Sequence, residues 1–219
     1  MKSEKLNTAS HKVFLEALLS GNKAECMNQT KSFLDKNDSI KDLYENLYRV
    51  TLYNVGDLWE DNKISVAKEH LATATVESVM NSLYERIVTA DKNQHKVVVS
   101  CAENEQHQVG AKMVADVFEM NGWNSIFLGA STPRRELMIF LEEEQPDVLC
   151  LSLSLYLHMR QFMRLVKHIN QSFPSLTVLM GGQAFRHAVP REMLAGPNNF
   201  VIPDLESLNS FIINYRSSK

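Results

Sequence analysis

The first 90 residues contain no proline, so nothing in them breaks a helix by removing a backbone donor. Long apolar runs are missing too. The longest near-apolar stretch, Val148 to Leu157, contains two serines and is about half of the roughly 20 residues that a membrane-spanning helix needs. The N-terminus, Met1-Lys2-Ser3-Glu4-Lys5, leads into polar residues and lacks the apolar stretch of a secretory signal. Cysteine is scarce: Cys26, Cys101 and Cys150 are odd in number and far apart, which excludes a disulfide framework and predicts buried, reduced thiols in a cytoplasmic protein. An excess of either charge is also absent. The net charge is −3, with 11 basic and 13 acidic side chains in residues 1–90 and 12 and 13 in residues 91–219. With no basic stripe, direct binding of nucleic acid is not expected.

What is present is an ordinary globular composition, 44% hydrophobic and 22% charged, arranged with two different periods. Residues 1–90 read as four helices. Val13, Leu15, Ala17, Leu18 and Leu19 mark the first, which ends near Gly21. The second runs from about Lys23 to Leu34 and stops in the polar cluster Asp35 to Ser39. The third carries Ile40, Leu43, Leu47 and Val50 on one stripe, with Tyr44, Tyr48, Thr51 and Val55 on the next, and ends near Trp59. The fourth begins at the N-cap residue Ser65 and carries Ala72, Val76, Val79, Leu83 and Ile87. Short connections between them predict a small helical bundle. Asp91 to His95 reads as a linker. Residues 91–219 then alternate strands (Lys96–Cys101, Ser125–Leu128, Asp147–Leu153, Leu176–Met180 and Phe200–Ile202) with helices (Gly110–Asn121, Pro133–Glu144, Leu157–Gln171, a short one around Pro190 to Leu194, and Leu205–Tyr215). That alternation predicts right-handed crossovers and a parallel sheet, which binds ligands outside the carboxyl ends of its strands. The expected fold is α/β: a four-helix bundle followed by a flavodoxin- or Rossmann-like parallel-sheet domain.

Three short motifs fall at successive strand ends: Glu105-Gln106-His107-Gln108-Val109-Gly110, then, after 41 residues, Ser152-Leu153-Ser154, then, after 26 more, Gly181-Gly182. An imidazole in the loop after the first strand is a good ligand for a transition metal. A carboxylate two residues earlier can take the hydrogen bond of the other ring nitrogen, which sets the tautomer and raises ligand basicity. The order and spacing resemble the cobalamin-binding signature of the methionine synthase and methylmalonyl-CoA mutase families, (D/E)-x-H-x-x-G…S-x-(L/T)…G-G. The resemblance implies that His107 is the lower axial ligand of a corrinoid cobalt and Glu105 its support, with Glu where the family more often has Asp. It also implies that Gly110 leaves room for the nucleotide tail. Ser152 and Ser154 would supply hydroxyls to the displaced base, Ser154 standing where Leu or Thr is common, and Gly181 and Gly182 would let the backbone approach the tail. A flavodoxin-like domain holding another flat ligand such as haem is the competing expectation.

The helical region carries a second pattern: Trp59, nine residues, then Glu69-His70, within Val55-Gly56-Asp57-Leu58-Trp59 and Glu69-His70-Leu71-Ala72-Thr73-Ala74. This resembles the W-x9-E-H motif in the helical cap of light-sensing, adenosylcobalamin-binding regulators of the carotenoid-gene repressor type. In those proteins the Trp covers the adenosyl group and the Glu hydrogen-bonds it, since an aromatic can pack on adenine and a carboxylate can take ribose hydroxyls. The resemblance therefore implies adenosylcobalamin as cofactor, with methylcobalamin the alternative. Two departures stand out. Glu60 occupies the position of the His that those regulators place on cobalt after illumination, and the chain starts with the bundle where they carry an N-terminal DNA-binding domain. The expected function is a cobalamin-binding sensor, an adenosylcobalamin-dependent photoreceptor acting through a partner regulatory protein. The alternative is a corrinoid carrier subunit serving a methyltransferase. A mutase is disfavoured because no substrate-binding barrel is expected in this chain, and a homo-oligomer is left open.

Overall fold

The computed structural model describes residues 9–89, 91–186, 190 and 196–217. The chain divides into two compact units, one reaching to Ile87 and one starting at Val88.

In the first unit, α1 (Ala9–Ser20), α2 (Lys23–Asn37), a helix running from Ile40 to Glu60, and α5 (Val66–Asn81) form the bundle, with a single turn, α6 (Tyr84–Ile87), after it. Polar side chains fix the helix starts: Asn22, Ser39 and Ser65 accept the N–H groups of Glu25, Asp42 and Lys68. The second helix ends inside the polar cluster expected to stop it, at Asn37, where Asp38 turns left-handed at φ 44°. The third helix is continuous but not uniform. It comprises α3 (Ile40–Leu43), a π-helical segment (Tyr44–Arg49) and α4 (Val50–Glu60), and the flanking Leu43 and Val50 keep right-handed helical dihedrals. The π segment places Tyr44, Leu47 and Tyr48 in the core. There Phe14 stacks on Tyr48 with ring centroids 5.2 Å apart, and Tyr44 lies 5.7 Å from Tyr48. The Tyr48 hydroxyl meets Thr30 Oγ1 at 2.7 Å inside the bundle, and burial pushes the phenol's pKa up.

In the second unit five parallel strands, β1 (Lys96–Cys101), β2 (Asn124–Gly129), β3 (Val148–Ser152), β4 (Thr177–Gly181) and β5 (Asn199–Val201), lie in the order β2-β1-β3-β4-β5. The central strands are buried on both faces, which is why they read as near-continuous apolar runs without alternation. The reversal of direction between β1→β2 and β2→β3, with right-handed crossovers, sends α7 (Val109–Met120) to one face and α8 (Arg134–Glu144) and α9 (Met159–Ser172) to the other. On the α8–α9 face, Val98, Leu149, Leu151, Val178 and Met180 pack with Leu137, Leu141, Phe162 and Val166 in one core. On the opposite face α10 (Leu205–Ser217) meets α7, and Trp123, fully buried, contacts Phe118, His95 and Tyr215. All three cysteines are buried and reduced, and no described helix is long and apolar enough to cross a membrane.

Two expectations change in detail. A 3-10 turn (Tyr156–His158) precedes α9, so that helix starts two residues later than expected, and the fourth bundle helix breaks at Ser82-Leu83. The short helix expected around Pro190 to Leu194 lies outside the described residues apart from Pro190 itself; a 3-10 turn (Gln183–Arg186) follows β4. The buried hydroxyl pair yields a prediction for the bundle. Thr30→Val strands the Tyr48 hydroxyl and is expected to destabilise the protein by about 1–3 kcal/mol, whereas adding Tyr48→Phe recovers much of that loss, because removing both partners avoids the unpaired group. Thermal unfolding of the single and double variants checks this.

Candidate functional site

The parallel register sets Cys101 beside Ser152 and Ser152 beside Gly181. The last residues of β1, β3 and β4 therefore form one row, and the three sequence motifs converge at the carboxyl edge of the sheet. The loop after β1 turns on Glu105. Its carboxylate is fully buried, and it accepts four hydrogen bonds: from the His107 ring Nδ1 at 2.5 Å, the His107 N–H at 2.9 Å, the Ser154 N–H at 2.6 Å and the Leu155 N–H at 3.2 Å. One side chain thus ties the loop after β1 to the loop after β3. The His107 side chain is 45% exposed while that of Glu105 is 0%, so the ring reaches outward from a buried anchor. With Nδ1–H given to the carboxylate, the neutral ring carries its lone pair on Nε2, the nitrogen suited to a metal.

Burial by itself would raise the Glu105 carboxyl. The donations from the His107 ring, the His107 N–H and the Ser154 N–H outweigh it and bring the pKa to about 2 from an ordinary 4.5.

The other predicted residues fall as follows. Gly110 is the second residue of α7, and a Cβ added there would meet nothing within 4 Å; the space belongs to no protein atom and is open to a group from outside. The Ser152 and Ser154 hydroxyls make no hydrogen bond to described residues, whereas the Ser154 backbone is engaged by Glu105. The glycine pair has a reason in the chain itself. Gly182 sits at φ +109°, and a Cβ there would lie 2.3 Å from the Leu153 carbonyl oxygen; a Cβ on Gly181 would lie 3.2 Å from the Ile202 oxygen. Closely apposed loops after β3 and β4, joined by Leu153 N–H to Gly181 O and Ala184 N–H to Leu153 O, therefore demand glycine at 182 whatever else binds.

Sequence reasoning missed the loop after β2. Ser131, at φ 51°, donates its N–H to the Glu105 carbonyl and accepts the Asn104 N–H on its hydroxyl, and Thr132 meets Ser100 at 2.8 Å. The run Gly129-Ala130-Ser131-Thr132-Pro133 at a fourth strand end was the available signal.

In the bundle unit, Trp59 stands one residue before the end of α4 and is 39% exposed. Glu69 lies in the first turn of α5, where His70 Nδ1 (2.7 Å) and Thr73 Oγ1 (2.9 Å) contact its two oxygens. The connection between the helices is tied by the Leu58 carbonyl, which accepts the N–H groups of Lys63 and Ile64.

Among the described residues no group of three His, Cys, Asp or Glu side chains could hold a bare metal ion. The donor set at the sheet edge is one imidazole with its carboxylate, which suits a metal already held by a macrocycle. Residues 95–202 match the B12 binding domain, and residues 11–84 match a second B12 binding domain model. The chain belongs to the B12-binding domain family. This B12-binding chain is 24% identical over 124 residues to the HTH-type transcriptional repressor CarA of Myxococcus xanthus, covering 57% of this chain and 43% of that protein. It is 29% identical over 147 residues to the repressor CarH of the same organism, covering 66% and 48%. The B12-binding chain thus spans less than half the length of these curated relatives. In fold it resembles the Methanosarcina barkeri monomethylamine corrinoid protein, with a TM-score of 0.77 at 16% identity over 94% of this chain and 100% of that one. A chain of the methanol:cobalamin methyltransferase complex MtaBC from the same organism matches with a TM-score of 0.52 at 15% identity over 100% and 87%. The protein is a cobalamin-binding protein, and the imidazole–carboxylate pair, the open space at Gly110 and the unengaged serine hydroxyls fit that cofactor.

The Glu105 geometry sets a pH dependence. A carboxyl whose pKa is lowered on folding stabilises the protein fully above its unfolded pKa and loses that contribution as pH falls through the folded one. Without added cobalamin, Glu105→Gln is expected to lower stability at neutral pH by about 1.5–3 kcal/mol, the scale of a hydrogen bond to a charged group. The gap to the parent closes between pH 4.5 and about 2. Denaturant unfolding of both proteins across that range measures it; a gap constant with pH contradicts the assignment. Gly182→Ala is expected to cost several kcal/mol by the same assay, through backbone strain and collision with Leu153.

Proposed function

We propose that this chain is an adenosylcobalamin-dependent light sensor that signals through a partner protein. The observation that carries the reading is the pair of residues at the α4–α5 connection, exposed Trp59 and first-turn Glu69 with His70, in a chain that also carries the His107–Glu105 pair. The similarity to CarA and CarH supports it, since those proteins are transcriptional repressors.

Bound adenosylcobalamin supplies a cobalt–carbon bond that visible light breaks. The protein's part is to hold, orient and report. Glu105 keeps the proton on His107 Nδ1, and His107 Nε2 would hold the cobalt. Gly110 and the Ser152 and Ser154 hydroxyls receive the tail and its base. Trp59 packs on the adenosyl group. Glu69 offers a carboxylate to the ribose, exchanging its present partners His70 and Thr73 for ribose hydroxyls. Glu60 stands next to Trp59 where an imidazole is otherwise expected, so a light-exposed state would draw on His70, on water or on a different outcome altogether. A ligand that binds two states unequally shifts their populations, and the shifted state is what a partner reads.

The second reading is a corrinoid carrier subunit of a methyltransferase system. Two observations favour it: Glu60 in the position of the expected His, and a Glu69 already engaged within its own helix. In that case the cofactor is methylcobalamin and Trp59 has no adenosyl group to cover.

The chain loaded with adenosylcobalamin in the dark and then exposed to green light is expected to change both absorption spectrum and oligomeric state; no change in either rules out the sensor. Trp59→Ala separates the two readings. For the sensor it weakens adenosylcobalamin by about tenfold or more and leaves methylcobalamin nearly unchanged; for the carrier both cofactors bind as before.

A further inference from the structure

On the α8–α9 face of the sheet lies a cavity of about 200 Å³ lined by Glu103, Arg134, His158, Gln161 and Arg164 above the buried Phe162. None of the residues assigned to the corrinoid lines it. Neither guanidinium makes an ion pair or side-chain hydrogen bond with any described residue, and His158 and Gln161 have no side-chain partner either. The imbalance is written into the chain: no carboxylate occurs between Asp147 and Glu192, a stretch that carries Arg160, Arg164, Lys167, Arg186 and Arg191. Glu103 is therefore the one acidic group in the lining, against two arginines and a histidine. Arg134 also borders a shallower hollow of about 470 Å³ that Arg135, His168 and Glu142 line, where the charges of both signs are mixed. Arg134 is itself the first residue of α8, which begins after Pro133 without a side-chain cap, so the N-terminal end of that helix dipole adds to the same charge.

We propose that this cavity binds a small multivalent oxyanion, a phosphate-bearing or polycarboxylate ligand, at a site separate from the corrinoid. Two planar guanidinium forks converging with an imidazole in a recess suit the paired oxygens of such groups better than point charges would. The volume admits a compact anion and excludes a polymer. Its place beside the loop that carries Glu105, with Ala102 and Glu103 in its wall, puts the anion two residues from the side chain that anchors His107.

Calorimetric titration of the full chain with pyrophosphate, at constant ionic strength and with chloride as the control anion, tests this. Saturable one-to-one binding is expected. Arg134→Gln with Arg164→Gln is expected to weaken it at least tenfold while circular dichroism and cobalamin uptake stay unchanged. Glu103→Gln is expected to tighten it severalfold by removing the one opposing charge. Lys167→Gln, on α9 but outside the lining, is expected to leave it within about twofold. Absence of saturable binding overturns the proposal, as does an equal loss in Lys167→Gln, which marks general charge screening. Displacement of pyrophosphate by cobalamin in equal stoichiometry also overturns it, because the anion would then occupy the place of the cofactor's own phosphodiester. Cobalamin binding is read separately by absorption, so its failure is distinguishable from failure of the anion site.

Discussion

The sheet-edge site depends on one buried carboxylate. Glu105 has no access to solvent and receives four donors from two loops. A charge so placed is costly unless every lone pair is used, and here the partners are the ring it orients and the backbone of the loop that supplies Ser154. Orienting the imidazole and shaping the loop after β3 are therefore one interaction. Anything that loosens the carboxylate disturbs the imidazole and the Ser154 backbone together.

The rest of the architecture makes that interaction possible. Parallel register brings Cys101, Ser152 and Gly181 into one row, so loops from β1, β3 and β4 leave the sheet side by side. Glycine at 182 lets the loop after β4 pass against the Leu153 carbonyl, and Ser131 braces the Glu105 backbone from the loop after β2. Packing beneath this edge is conventional: strands buried on both faces and amphipathic helices on either side. Specific polar contacts are concentrated at the carboxyl ends of the strands, where a parallel sheet exposes its loops.

Much of this was legible in the residues. β1 falls on the expected Lys96–Cys101, and the α/β class, the parallel sheet and the leading bundle follow from the change of period after residue 90. The pairing of Glu105 with His107 was readable from their two-residue separation. Strand order was not, because apolar runs buried on both faces carry no mark of their neighbours. The π-helical segment was hidden for a similar reason: its apolar positions continue the helical stripe, and the change lies in backbone hydrogen bonding that side-chain pattern does not encode. The glycine pair was legible as a site of close approach, but not for its chain-internal cause, which needs the position of Leu153. Ser131 was missed because its contribution is largely backbone, and its left-handed φ is unusual for a serine. The engagement of both Glu69 oxygens by neighbours on its own helix likewise depends on rotamers rather than on composition.

The central proposal is that His107, oriented by Glu105, serves as the lower ligand of a bound corrinoid. Electron paramagnetic resonance of the protein loaded with cobalt(II) cobalamin tests it most directly, with histidine supplied as nitrogen-14 or nitrogen-15. If His107 Nε2 binds cobalt, the triplet superhyperfine splitting of the first sample becomes a doublet in the second, and His107→Ala abolishes the effect. A triplet unchanged by histidine labelling places the cofactor's own base on the metal and contradicts the account.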